Sequence, residues 1–93
     1  MQKSTHTAEY SALLAELRQA RESAGLSQRA LAAKLDVPHS WVAKVESGER
    51  RVDIVEFHYV LRACGADPTT VFRRLVEKFG KSRPTPSRGR RST

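Results

Sequence analysis

The chain of 93 residues holds one cysteine, one tryptophan and three histidines, and aromatics make up only 6% of it. Each scarcity excludes something. A lone Cys64 forms no intramolecular disulfide; it reads as a small buried residue on a helix, in keeping with a reducing cytoplasm. No apolar run approaches the roughly 18 residues that a membrane span requires. The opening MQKSTHTAEY lacks an apolar core, so no secretion signal is expected. His58 and Cys64 fall about 240° apart around a helix, which is no metal-binding arrangement. His6, the serines and the acids show no nucleophile–base order, so neither an enzyme nor a cofactor is expected. Sparse aromatics offer few platforms on which single-stranded RNA could stack.

What is plentiful is positive charge. Lys and Arg number 17 against 10 acids, a net +7 with His neutral. That favours an anionic partner, nucleic acid first and an acidic membrane surface second. The charge is unevenly placed. Lys81, Arg83, Arg88, Arg90 and Arg91 lie in an acid-free 81–93 segment and leave only +2 for residues 1–80. Charge alone is thus a weak argument for DNA. The tail is Ser, Arg, Pro, Thr and Gly with nothing to bury, so disorder is expected. It is either a solvated extension or a nonspecific DNA tether that would steepen salt dependence. Length predicts a flexible segment over 1–7, one folded domain over 8–80 and a basic tail over 81–93. A separate sensor or catalytic domain does not fit.

Helical periodicity dominates the folded part. Tyr10, Leu13, Leu14, Leu17, Ala20 and Ala24 recur at spacings of three and four, predicting a helix over about 8–24 with Thr7 as N-cap. Ser27 caps a second helix over 28–35, with Leu31 and Leu35 inward. Asp36 and Val37 make a turn, and Pro38 suits the first position of a third helix ending at Ser47. Asp53 with Glu56 spells a capping box for a fourth helix, whose core face is Phe57, Val60, Leu61 and Cys64. Asp67 and Pro68 start a fifth, which Gly80 should end. No strand is expected.

Residues 25–48, GLSQRALAAKLDVPHSWVAKVESG, are two short helices joined by a tight turn with a glycine closing each end. This is what a helix-turn-helix needs to push its second helix into a DNA major groove. At 100° per residue, Pro38, Val42 and Val45 face inward, while Ser40, Ala43, Lys44 and Ser47 lie opposite and His39 borders them. Short or donor-bearing side chains let a backbone approach base edges. Lys44 and His39 can donate to guanine, Ser40 can donate or accept, and Ala43 can touch a thymine methyl. The plain alternative is a polar solvent-facing helix side. Gln28 at the start of the second helix, with Arg50 and Arg51 past the third, stand where phosphates would dock. Trp41 either stiffens the helix edge half-buried or wedges against a sugar or thymine methyl. Arg21 and Glu46 sit on or beside apolar stripes; meeting each other would resolve both charges.

Residues 13–76 resemble the Cro/cI-type, or xenobiotic-response-element (XRE), helix-turn-helix family. The text that carries the resemblance is LRQARESAGLSQRALAAKLDVPHSWVAKVESGERRVDIVEF followed by VLRACGADPTTVF. The resemblance implies an all-α, lambda-repressor-like bundle of about five helices that binds operator DNA, often as a homodimer. It implies Gln28 as a phosphate contact, His39, Ser40 and Lys44 as base readers, and Arg21 with Glu46 as a structural pair. Three positions depart from the family. Asp36 replaces the usual turn glycine, Ala30 an early acid of the second helix, and Ala43 a polar residue.

The expected function is a small cytoplasmic, nucleoid-associated transcriptional regulator, most simply a repressor. One helix reads few base pairs, so useful affinity suggests a homodimer. Val71, Phe72, Leu75, Val76 and Phe79 on the fifth helix either form its seam or simply close the core. The competing reading is an antitoxin or other protein-interaction module of the same fold. The near absence of apolar side chains in 81–93 argues against it.

Overall fold

The computed structural model describes residues 7–82. Their order is α1 (Ala8–Ser23), α2 (Gln28–Leu35), α3 (His39–Glu46), α4 (Ile54–Ala63) and α5 (Pro68–Ser82), with no strand among the described residues. The N-terminal segment up to residue 6, and the basic tail from 83 onward, lie outside the described residues.

The expected caps form. The Thr7 hydroxyl accepts from the Tyr10 N–H, and the Ser27 hydroxyl from the Ala30 N–H, each at 3.0 Å. Asp53 and Glu56 close a reciprocal capping box. Gly25, with φ of +73°, ends α1 in a paired-turn motif. Its N–H donates to the Glu22 carbonyl and that of Leu26 to the Arg21 carbonyl. Asp36 takes the left-handed conformation, φ 59° and ψ 48°, that its turn position demands.

Three boundaries differ from expectation, one being the end of α3, which falls at Glu46 with Ser47 as its cap. Pro38 stands one residue before α3, with ψ at 146°, and its side chain is exposed rather than packed beside Val42 and Val45. Its extended ψ leaves the first helical place to His39. Gly80 does not end α5, which continues to Ser82. A glycine inside a helix costs only about 1 kcal/mol, and the half-buried Phe79 anchors this last stretch to the core.

The core lies where α1 meets α3, α4 and α5 and where α2 packs on α3 and α4. Leu17, Leu31, Val45, Leu61 and Leu75 are at most 2% exposed. Burying a side chain of this size contributes about 1.5–3 kcal/mol. Val52 carries the connector after α3 into this core, and its N–H donates to the Tyr10 hydroxyl at 2.9 Å. Val71 and Leu75 are core residues too. Of the five α5 residues expected either at a dimer seam or closing the core, these two close the core, and residues already buried in the monomer cannot face a second copy.

Candidate nucleic-acid interface

Helix α3 is divided as a groove-entering helix must be. Val42 and Val45 are 2% exposed, and they fix the helix against the bundle. His39, Ser40, Lys44 and Ser47 are exposed on the other side, and Ala43 is half-buried between the two. The chain just beyond is also shaped. Gly48 has φ of +84°, and the Arg50 N–H returns to the Lys44 carbonyl at 3.1 Å. This turn folds the connector back under the end of α3.

Beneath α3 sits the ion pair. Arg21 Nε donates to Glu46 Oε2 at 2.6 Å, and an Arg21 terminal nitrogen donates to Oε1 at 3.0 Å. The other terminal nitrogen donates to the Leu26 carbonyl at 2.9 Å. Arg18 stands 3.6 Å away as a second, more exposed cation. Burial works to raise the Glu46 carboxyl, but the hydrogen bonds from Arg21 and Gln28 outweigh it and hold the group below its usual range. The pair ties α1 to the end of α3.

Gln28, expected on a phosphate, donates from Nε2 to Glu46 Oε1 at 2.9 Å. Its side chain therefore ties the start of α2 to the same pair. Arg50 was also expected on a phosphate, and the geometry gives it other partners. Its guanidinium holds the Glu56 carboxylate through two terminal nitrogens at 3.2 and 3.1 Å. It also lies 5.0 Å above the Trp41 ring. Trp41 is half-buried in a shallow groove with Leu35, Val37, Tyr59 and Val60. Its ring is thus bracketed by protein on the flank of α3. Arg51 is exposed and rests 5.5 Å from the Tyr10 ring.

Several contributors were missed in the sequence. Glu16 is 7% exposed and clamps α5 to α1 through Arg74, at 2.8 and 3.2 Å, and Lys78, at 3.5 Å. The Arg74 hydrogen bond holds its carboxyl low. The available signal was an acid next to the Leu17 stripe and two cations four residues apart on α5. Glu56 was read only as half of a capping box. Ile54, Val55 and Tyr59 on α4 are exposed apolar residues that periodicity assigned nowhere.

Comparison with known proteins bears on the whole arrangement. Residues 12–75 match the family described as "Helix-turn-helix domain". No curated protein matches. Among solved structures, an XRE-family-like protein from Pseudomonas syringae pv. tomato is similar, with 43% identity and a TM-score of 0.75 over 81% of this chain and 92% of that one. The family match runs from Ala12, within α1, to Leu75, the stretch in which an anchored, outward-facing α3 sits on the Arg21–Glu46 pair, and the chain belongs to the XRE, or Cro/cI-type, helix-turn-helix family of DNA-binding regulators.

Proposed function

We propose that the protein is a sequence-specific repressor that binds operator DNA as a homodimer, with the 38–47 segment in the major groove. The observation that carries this reading is the division of α3: Val42 and Val45 buried, His39, Ser40 and Lys44 exposed on the opposite side. His39, Ser40 and Lys44 read base edges, and Ala43 makes the apolar contact. Arg51 neutralises a phosphate at the rim, and the start of α2 at Gln28 turns its positive end to a second phosphate. Repression follows by occupying a site that polymerase would use.

The dimer forms through the outer side of α5. Phe72 and Val76 are 46% and 49% exposed, and Arg73 and Glu77 lie beside them. In an antiparallel pairing of two α5 helices, Arg73 of each copy meets Glu77 of the other while the apolar pairs close the centre. A two-fold interface needs this self-complementarity. Two half-sites about one helical turn apart would follow.

Selection of bound duplexes from random DNA tests the reading. The expected product is a two-fold symmetric site with half-sites about 10 base pairs apart, centre to centre. Lys44→Ala should lose discrimination at one base position, by about 1–3 kcal/mol. Arg51→Ala should weaken all sequences alike and reduce the salt slope by about one. If both variants kept wild-type binding and salt slope, the reading would be wrong.

A further inference from the structure

Arg50 lies just past the end of the recognition helix, half-exposed and one residue from the proposed phosphate contact Arg51, yet its guanidinium is held by groups of the protein itself. Three features hold it there. Glu56 takes both terminal nitrogens, at 3.2 and 3.1 Å. One of those nitrogens also donates to the Arg51 carbonyl at 2.8 Å. The group lies over Trp41, its central carbon 5.0 Å from the ring centre. Glu56 is itself fixed, because its Oε1 accepts from the Asp53 N–H at 3.0 Å in the capping box of α4. The hydrogen bonds from Arg50 hold the Glu56 carboxyl below its usual range, so it stays ionised near neutrality. A carboxylate beside a DNA-facing rim would ordinarily repel phosphate. Here its charge is matched to a single cation.

We infer that Glu56 is a specificity-determining residue: it withholds the Arg50 guanidinium from the DNA backbone and stacks it on Trp41. The inference rests on the DNA-binding reading above. A cation on a phosphate adds affinity for every sequence and information about none. Keeping Arg50 on Glu56 removes one such sequence-blind contact. It also braces the Trp41 flank of α3, so the base-reading side chains are presented at a fixed angle. Glu56 is thus a positioning residue that acts through Arg50 and touches no base.

The test is Glu56→Gln in the full chain. Gln still accepts from the Asp53 N–H and so preserves the capping box, but it has no charge and no second acceptor oxygen for Arg50. Binding to a random-sequence duplex should become steeper in salt by about 0.9 in the log–log slope, one added phosphate contact. The ratio of variant to wild-type affinity should therefore grow about 3.5-fold between 200 and 50 mM salt. Adding Arg50→Met to Glu56→Gln should cancel the gain. Trp41 is the chain's one tryptophan. Acrylamide should quench it more readily in the free Glu56→Gln protein, once the covering guanidinium leaves.

An unchanged slope in Glu56→Gln would overturn the inference. So would a drop of about 0.9 in the slope on Arg50→Met alone, since Arg50 would then already meet a phosphate with Glu56 in place. Unchanged quenching in Glu56→Gln would overturn the clamp without any reference to DNA. Arg51→Ala separates the two levels. If it lowers the slope while Glu56→Gln does nothing, the DNA-binding reading stands and only this inference falls. If no member of the series binds duplex, both fall together.

Discussion

Glu46 joins three helices, through Arg21 on α1 and Gln28 on α2, and its side chain is only 4% exposed. Glu46→Ala leaves Arg21 buried without its counter-ion and should destabilise the fold by about 3–5 kcal/mol in urea unfolding. Replacing both partners with apolar residues, Arg21→Met with Glu46→Leu, should recover most of that loss. The same acids set the pH response. Glu46 and Glu16 both titrate below the usual carboxylate value in the folded chain. Their contribution is therefore complete above the unfolded pKa of about 4.3 and is lost as pH falls through the lower folded values. Thermal unfolding should show a Tm that is nearly flat from neutrality to about pH 5 and falls below it. Glu46→Gln should flatten part of that acid limb. The Arg21–Glu46 contact was legible because each charge lay at an apolar stripe and needed a partner. The Glu16 clamp was not, since Arg74 lies 58 positions away and nothing local pairs the two.

Short helices depend on their ends, and the ends of α2 invite measurement. Ser27→Ala removes the acceptor for the Ala30 N–H and should cost about 1 kcal/mol. Asp36→Gly should stabilise the chain by about 1 kcal/mol, because glycine takes a φ of 59° without the steric penalty that a Cβ brings. Gly80→Ala should also stabilise, by about 0.5 kcal/mol, since the helix runs through this position and an added Cβ meets nothing within 4 Å. Chemical denaturation of the three variants checks all these signs. The α2 boundaries were readable because a hydroxyl cap and a left-handed residue are both written locally. The starts and stops that moved were the ones resting on a single residue. Pro38 can occupy either the cap or the first helical position, and Gly80 can be overridden by packing of its neighbour.

At the scale of the molecule, α5 has two lives. Val71 and Leu75 seal the bundle, while Phe72 and Val76 look outward. Leu75→Ala should therefore lose about 2–5 kcal/mol in the monomer. Phe72→Glu should leave monomer stability within about 0.5 kcal/mol but abolish the proposed homodimer. Sedimentation would show a single monomeric species, and Tm would lose its dependence on protein concentration. A Phe72→Glu protein that sediments as the wild type does, as a dimer, would place the seam elsewhere, and exposed Ile54, Val55 and Tyr59 on α4 are then the next surface to probe. The apolar stripe of α5 was visible in the sequence as one set. Periodicity ranks residues by angle around their own helix, so it could not tell which half another helix would cover.

The sequence by itself determined the elements and their kind among the described residues: five helices, the side-chain caps and left-handed turns that start and stop several of them, and a third helix apolar on one side and polar on the other. Those features depend on neighbours within four positions, so they can be read from the chain directly. Beyond the Arg21–Glu46 pair, the tertiary structure alone decided which charges are engaged within the protein. Arg50 is one of six arginine and lysine positions from 44 to 74 that are exposed or half-exposed on a basic chain, and nothing in its own neighbourhood distinguishes it from Arg51. Only the fold brings Glu56 and Trp41 to Arg50 and sets the more exposed Arg51 over the Tyr10 ring, because partners six and nine positions away from Arg50 are chosen by how the connector turns.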